Sequence, residues 1–356
     1  MKRNLKLLMA IFIGIIAIMI TDNIVIIGDK IGRMTHVYVE YLFYCIFIAL
    51  GYIYIIHPMI KMHRAPEFPI LKPNVDWDSR QLYKFAESLK NNCNYIIDED
   101  VRKKHKEFLN KHIQHHCAES DNLKIIITNE VNRRIEGDTN LGVVGVDNRI
   151  KEWGKTVFMV TAISQNGVFD TISVLIMNYK MITDIVLASG FRPTKPQMFN
   201  IYVRVLSTAL LTYCTSQIFS NLDDMKPFNF DITDDIASTG DVDLGDLDSS
   251  DIGFGNSIIQ RIKTVKIPGL LVESAAQGCI NALLTMRIGY VTKSYLLEGP
   301  CAMKGLKNKR KVKREAIKSA FKAMPSVVLA GGSAIGGTVA TALAKILSKE
   351  EDKNNN

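Results

Sequence analysis

Two long apolar runs within the first sixty residues constrain this chain more than any other feature. Every residue from Leu7 to Ile20 is apolar or glycine, and Tyr41 to Ile60 carries no formal charge. A helix needs about 20 mostly apolar residues to cross the hydrocarbon core of a bilayer, with a lower limit near 17. The run from Leu5 to Thr21 meets the lower limit, and the run from Tyr41 to Ile60 has the full length. The two runs therefore predict an N-terminal transmembrane helical hairpin over residues 1–65.

A cleaved signal peptide is the alternative explanation of the first run, because Lys2 and Arg3 precede its apolar centre. However, residues 18–22 offer no small-x-small cleavage site, and a second apolar run follows at once, which favours a retained hairpin. Basic residues flank the hairpin, whereas its loop carries only Lys30 and Arg33 beside Asp29. Since basic residues stay on the cytoplasmic side, both termini are predicted to be cytoplasmic.

The rest of the chain predicts an all-α protein. After an extended exit at the prolines of residues 66–73, residues 66–152 read as a polar helical linker, with Lys124 to Thr128 open to either a strand or a helical turn. Residues 153–348 predict a C-terminal helical bundle with an acidic loop at 223–256, and 349–356 form a polar tail. We expect four helices in the bundle, at 153–188, 197–220, 257–298 and 312–348.

The net charge of +8 hides one acidic and one basic block. Residues 223–251 hold ten Asp and one Lys, and 302–322 hold nine Lys or Arg and one Glu. The acidic block predicts a mobile loop. The basic block predicts contact with anionic membrane lipids, with a solvated helix face equally open; the candidate residues are Lys309, Arg310, Lys311, Lys313 and Arg314. Nucleic-acid binding is disfavoured, because no aromatic residues interleave with this run.

Two further segments leave the number of spans open. Thr156 to Met177 contains no Lys or Arg, but Asn166 and Asp170 lie within it. A carboxylate near the bilayer centre costs at least ~2.5 kcal/mol, so a buried helix in a bundle is at least as well supported as a third span. Pro325 to Ala344 is also uncharged and contains Gly332-x-x-x-Gly336, a spacing that allows close helix packing in a membrane or in a protein core.

No catalytic motif is present, so the chain is not predicted to be an enzyme or to bind a cofactor. Gly154-Lys155-Thr156 matches the end of a phosphate-binding loop, but Arg149 occupies the position where that motif requires glycine. His112, His115 and His116 adjoin Cys117 at a spacing that permits metal binding. Since no carboxylate or cysteine set completes the group, a solvated helix face is the preferred interpretation and no metal is expected.

Two stripes of polar residues are more informative, because they lie among apolar neighbours at helical spacing. One consists of Asn166, Asp170 and Asn178, and the other of Gln277, Asn281 and Thr285. Buried polar groups need partners, so we expect the stripes to face each other. Asp170 would then need a cation, for which Arg204 and Arg287 are the candidates. A structural role in fixing helix register is favoured over catalysis or transport.

The stripes belong to two segments that resemble a known family. The first contains Thr161-Ala-Ile-Ser164, Asp170, Asn178, Met181-Ile182 and Gly190-Phe-Arg192-Pro193, and the second Ser274-Ala-Ala-Gln277-Gly278, Asn281-Ala-Leu-Leu-Thr285 and Arg287-Ile-Gly289. Together they resemble the YcjF-like family of bacterial inner-membrane proteins, whose members have two N-terminal spans and similar length. Residues 1–150 match in layout alone, and the acidic loop departs from the compact family pattern.

The resemblance implies a location in the bacterial inner membrane and a partner that binds nucleotides. A similar C-terminal domain occurs attached to Era-like GTPases, and YcjF-like proteins are often paired with a P-loop stress protein. The expected function is thus that of a membrane-anchored, non-enzymatic adaptor or scaffold. The alternative is a small multi-pass transporter or channel component that uses the stripe around Asp170. A homo-oligomer is open under either hypothesis.

Overall fold

The computed structural model describes residues 14, 18, 21–22, 24–67, 79–115, 120–164, 167–220, 269–303, 305–332, 337, 341 and 344. These residues form helices and connecting turns, with two isolated backbone bridges and no strand among them. The prediction of an all-α protein is therefore confirmed for this part of the chain. The chain divides into two units, one comprising Met1–Lys61 and Pro227–Ile252, the other Met62–Lys226 and Gly253–Asn356.

The first unit contains two helical segments that pack against each other. Residues 24–34 are helical, and helix α1 (Val37–Gly51) follows after a break at Thr35 and His36. A Cβ added at Gly28 would lie 2.4 Å from the hydroxyl of Tyr44, so glycine allows close contact between the segments. The helix continues through a π-helical turn (Tyr52–Ile56) into α2 (His57–Arg64). Most of the predicted first span, Leu5 to Thr21, lies outside the described residues.

The region expected to be a polar linker forms three helices of the second unit. They are α3 (Ser79–Asn91), α4 (Glu99–His115) and α5 (Ser120–Glu136), and the ambiguous segment 124–128 lies within α5. The apolar residues spaced for one helix face are buried, including Leu82 and Leu89. They join a contiguous hydrophobic core that extends to Val328. The described residues of this region therefore share one hydrophobic core with the later helices of the second unit.

The expected helix at 153–188 is instead two helices, α6 (Val146–Ile163) and α7 (Gly167–Ser189). Ser164 ends α6 with an extended backbone, φ −73° and ψ 134°. The domain boundary predicted after residue 152 falls inside α6, and Thr156 to Met177 is not one continuous helix. Hydropathy does not reveal the break, because the segments on both sides of it are mostly apolar.

The last three helices of the second unit are α8 (Lys195–Ser220), α9 (Gly269–Glu298) and α10 (Gly305–Ala330). A short 3-10 helix (Gly299–Met303) connects α9 to α10. The helix expected at 312–348 begins earlier and ends at Ala330, because Gly331 lies in a turn. Pro325 to Ala344 therefore does not form one uninterrupted helix. The acidic loop at 223–256, the expected helix start at 257–268, and residues 333–336 lie outside the described residues.

Helix α9 is the centre of the second unit. Every residue from Ala275 to Thr292 is buried, and Arg287 is the one formally charged residue between them. Helices α6, α7, α8 and α10 all contact it. A helix that is buried around its whole circumference needs protein on all sides, and the four neighbouring helices provide it.

One described helix is long and apolar enough to cross a membrane, the segment Phe169–Ser189 of α7. Protein covers 56% of its most apolar window, a property that the core helix of a bundle shares. Near its end, Asp184 accepts hydrogen bonds from Arg149 at 2.8 Å and from the Trp153 indole at 3.2 Å. These contacts with α6 favour treating α7 as a helix of the bundle.

Candidate functional site

The two polar stripes meet at the interface of α7 and α9. Gln277 Nε2 donates a hydrogen bond to Asp170 Oδ2 at 2.9 Å, and both side chains are buried. One turn farther along α9, Asn281 Oδ1 accepts a hydrogen bond from the Thr212 hydroxyl of α8 at 2.9 Å. The expected contact between stripes is therefore present at Asp170. Asn166 lies outside the described residues.

The cation expected beside Asp170 is not one of the two predicted arginines. The described partners of this carboxylate are the Gln277 amide and the Ser164 hydroxyl, and none of the described ion pairs links it to Arg204 or Arg287. Arg287 lies ten residues beyond Gln277 on the same helix, which is about 15 Å along its axis. Burial raises the pKa of Asp170 to about 6, although the nearby Ser164 hydroxyl lowers it. A neutral amide thus replaces the predicted ion pair.

Several buried polar atoms along this interface have no hydrogen-bond partner within the part of the chain that the structure describes. They are Asp170 Oδ1, both amide atoms of Asn178, Asn281 Nδ2 and the hydroxyl of Thr285. Asn178, Asn281 and Thr285 are each fully buried. Almost all buried polar groups in folded proteins have a hydrogen-bond partner, so this concentration of unpaired atoms distinguishes the interface from an ordinary core.

Helix α10 carries a continuous exposed basic stripe, which we call the basic face. It consists of Lys307, Lys311, Arg314, Lys318 and Lys322, at spacings that place them on one side of the helix. On the opposite side, Val312, Ala316, Ala320 and Met324 are buried. Contacts with α6 and α9 hold that side, so the basic face is directed to solvent.

The predicted lipid-contacting residues belong only in part to this face. Lys311 and Arg314 lie on it and Arg310 is exposed beside it, whereas Lys309 and Lys313 are half-buried. Lys311 is 3.8 Å from Glu315, with both side chains largely in solvent, and such a pair contributes little stability. The other members of the face were identifiable from their spacing to Lys311 and Arg314.

A buried ionic cluster around Glu130 was not anticipated from the sequence. Arg134 and Glu130 of α5 are 0% and 2% exposed and form an ion pair at 2.8 Å. Glu130 also accepts a hydrogen bond from the Tyr95 hydroxyl at 2.6 Å and lies 3.1 Å from His105 Nε2. The Arg134 guanidinium stacks over the Tyr95 ring, 4.3 Å from its centroid. We call these four residues the Glu130 cluster.

The Glu130 cluster joins α3, α4 and α5 to the end of α7. Arg134 donates to the carbonyl oxygens of Leu89 at 2.9 Å and of Ser189 at 3.2 Å. The next residue, Gly190, has φ +78°, and an added Cβ would collide with the Arg134 guanidinium. Burial by itself would raise the pKa of Glu130, but hydrogen bonding by His105 and the charge of Arg134 lower it to about 2. The cluster is closed to solvent, which indicates a structural role.

The sequence did contain a signal for this cluster. Leu123, Ile127, Val131 and Ile135 mark the buried face of α5, and the positions of Glu130 and Arg134 fall within it. Charged residues in an apolar stripe are almost never fully buried unless they are paired. Their partners Tyr95 and His105, however, come from separate segments and have no periodic relation to α5.

The histidines considered as metal ligands do not assemble a site in the described part of the chain. His112 Nδ1 is 2.8 Å from the carbonyl oxygen of Phe108, and its ring centroid is 4.0 Å from that of the Phe108 ring. His115 is exposed at the end of α4, and His116 and Cys117 lie outside the described residues. Among the residues described, no group of three His, Cys, Asp or Glu side chains is placed to hold a metal ion.

Apolar side chains are exposed around the whole of α1. The helix has no buried residue, and its large apolar side chains remain open to the surroundings; the most exposed are Tyr38, Tyr41, Leu42 and Ile48. Soluble proteins rarely expose contiguous apolar patches larger than a few hundred Å². This helix therefore requires an apolar partner or a lipid environment.

Comparison with protein-family models, curated proteins and solved structures gives no significant match to this chain.

Proposed function

We propose that this chain is a membrane-anchored, non-enzymatic helical adaptor of the bacterial inner membrane, with both termini in the cytoplasm. The observation that carries the proposal is the exposure of the apolar side chains of α1, a helix with no buried residue and with Glu40 as its one charged side chain. Residues 41–60 are helical throughout. A helical run of this length is about 30 Å long, which matches the thickness of the hydrocarbon core.

Resistance to extraction tests the anchor. Membranes that contain the full-length protein are washed first with high salt and then with alkaline carbonate, and the protein is followed in pellet and supernatant. A spanning hairpin keeps the protein in the pellet through both washes. Release by either wash would contradict the anchor and the adaptor function with it.

The basic face of α10 supports a second contact with the bilayer. Basic residues near an anionic membrane surface contribute about 1 kcal/mol each, and this face presents a row of exposed ones. Surface contact of this type is electrostatic and weakens as salt screens the charges. In the proposed adaptor, the face contacts anionic lipid headgroups while the hairpin provides the anchor.

The proposed partner is a cytoplasmic GTPase or a P-loop stress protein, as the resemblance to the YcjF-like family implies. Within the described residues, the charged side chains that join helices are paired with one another. They belong to the Glu130 cluster or to the ion pairs Arg149–Asp184 and Lys293–Asp147. Affinity capture of the tagged full-length protein from mild-detergent extracts, followed by mass spectrometry, tests the partner. Enrichment of a P-loop protein over a matched untagged control supports the proposal, and its absence after in-cell crosslinking argues against it.

A multi-pass transporter or channel component is the second candidate, and the apolar length of α7 favours it. The adaptor is preferred because much of α7 is covered by protein and Asp184 pairs with α6. Topology reporters fused after residues 38, 190 and 350 discriminate between the two. The adaptor requires position 38 outside and positions 190 and 350 in the cytoplasm, whereas a span at α7 changes the side on which position 190 is found.

A further inference from the structure

The unpaired polar atoms of α7 and α9 follow one another along the two helix axes, and we call them the column. Their order follows from the register of the two helices. Asp170 bonds to Gln277, and a Cβ added at Gly289 would lie 3.1 Å from the sulfur of Met181. The difference in residue number between contacting residues of the two helices is nearly the same at both contacts, so the helices run parallel. The same offset brings Asn178 level with Thr285, with Asn281 one turn before Thr285. The column extends over about two helical turns, roughly 12 Å.

The side chains of the column lie at similar heights along the two parallel helices, but no direct hydrogen bond joins their unpaired atoms. Asn178 leaves both a donor and an acceptor unpaired, and the Thr285 hydroxyl at the same level is also unpaired. Asn281 leaves an N–H donor without a partner, and Asp170 leaves a carboxylate oxygen. Unpaired donors and acceptors therefore occur together along the interface, and none of them is satisfied by a direct hydrogen bond within the described residues.

The mixture of donors and acceptors restricts the chemistry of the ligand. A cation would be repelled by the two amide N–H₂ groups of Asn178 and Asn281, and an anion by the carboxylate of Asp170. Water both donates and accepts, and a buried water typically makes about three hydrogen bonds to otherwise unpaired groups. Bridging water is energetically close to a direct hydrogen bond, so it satisfies every open atom of the column.

We propose that the α7–α9 interface binds a short file of ordered water molecules, which connects Asp170 through Asn281 to Asn178 and Thr285. One water accepts from Asn281 Nδ2 and donates to Asp170 Oδ1, and a second bridges the Asn178 amide and the Thr285 hydroxyl. The centre of the bundle is thus hydrated rather than dry, and the buried carboxylate of Asp170 is in contact with exchangeable protons. This inference is independent of the membrane anchor.

Water-selective magnetisation transfer tests the file in the full-length protein, reconstituted in nanodiscs and labelled with ¹⁵N-asparagine. Asn178 and Asn281 are fully buried, so direct contact with bulk water cannot produce a signal. We expect transfer from water to both assigned side-chain amides. Absence of transfer to both amides in the wild-type protein would overturn the proposal.

Two isosteric variants locate the water. Thr285→Val removes an unpaired hydroxyl of the column, and we expect transfer to the Asn178 amide to fall at least twofold. Thr183→Val is the matched control, because Thr183 is also buried but its hydroxyl donates to the Tyr179 carbonyl oxygen at 3.0 Å; transfer should be unchanged. Equal transfer in wild type and Thr285→Val would contradict a water at this level. If Thr285→Val does not fold, the wild-type spectrum decides.

Discussion

Asp170 and Glu130 are both buried carboxylates, yet their surroundings shift their pKa values in opposite directions. Glu130 faces the guanidinium groups of Arg134 and Arg133, a phenol and an imidazole, and its pKa is lowered to about 2. Asp170 has a neutral amide and a hydroxyl as its described partners, and burial raises its pKa to about 6. The difference follows from the cations that contact Glu130, since the described partners of Asp170 are neutral.

We predict that Asp170→Asn removes a pH-dependent component of stability. The folded-state pKa of about 6 lies above the ordinary value of 3.8 for an aspartate, so the stabilising contribution is full below 3.8 and is lost as pH rises through 6. The thermal midpoint of the variant relative to wild type should therefore increase between pH 5 and pH 8. Asp121→Asn is the control, because that side chain is 88% exposed. An unchanged difference across this range would contradict the assignment.

We predict that Arg134→Met lowers the free energy of unfolding by about 3–5 kcal/mol, because it removes the fully buried one of the two guanidinium groups that pair with Glu130 and leaves the half-buried Arg133 at 3.2 Å. The double variant Arg134→Met/Glu130→Leu should lose less, since replacing both partners with apolar residues leaves no buried charge. Urea denaturation at pH 7 measures both changes. If the double variant is less stable than the single one, the ionic account of the cluster is wrong.

The same residues show how far sequence reasoning reaches at the scale of helices. Helical spacing was sufficient to place Asp170 and Asn178 on one face, to place Gln277, Asn281 and Thr285 on another, and to suggest that the faces meet. It could not identify Gln277 as the partner of Asp170, because that choice depends on the register of two helices more than one hundred residues apart. The break at Ser164 and the end of α10 were missed because apolar residues continue past both points.

Close packing of α6 on α9 depends on glycine, and we predict that Gly278→Val disrupts it. A Cβ at Gly278 would lie 3.0 Å from that of Ala162 and 3.1 Å from the side chain and the carbonyl oxygen of Phe158. Forcing extra atoms into a packed core typically costs about 1–3 kcal/mol. Gly337→Ala is the control, since nothing lies within 4 Å of a Cβ there. Chemical denaturation should show a loss for the first variant and none for the second.

The basic face of α10 should determine binding to anionic lipid. In a fragment that begins at Met62, replacing Lys307, Lys311, Arg314 and Lys318 by Gln should weaken binding to vesicles containing phosphatidylglycerol at least tenfold. The expected reason is the loss of about 1 kcal/mol per basic residue at the surface. The control replaces Lys103, Lys104, Lys106 and Lys111, which are exposed on α4, and so matches the change in net charge. Equal effects of the two sets in a vesicle sedimentation assay would exclude a specific face.

At the scale of the whole molecule, the boundary between the units lies slightly before the predicted one. The hairpin was expected to extend to residue 65, but the second unit begins at Met62. Met62 is fully buried in its core, and Arg192 donates to the carbonyl oxygen of Ala65 at 3.1 Å. A backbone bridge and an ion pair at 3.5 Å also connect Arg192 with Glu67. The segment 62–67 is thus part of the helical domain, although it directly follows the apolar run.

This assignment predicts different behaviour for two truncated proteins. A fragment of residues 62–356 keeps Met62 in the core and the contacts of Arg192 with Ala65 and Glu67, so it should fold as a soluble, cooperative helical domain. A fragment of residues 79–356 loses the buried Met62 side chain, and removal of such a side chain costs about 2–5 kcal/mol. Circular dichroism melts should show a lower midpoint for the shorter fragment. Equal midpoints would mean that residues 62–67 belong with the hairpin, and an insoluble longer fragment would mean that α7 requires lipid.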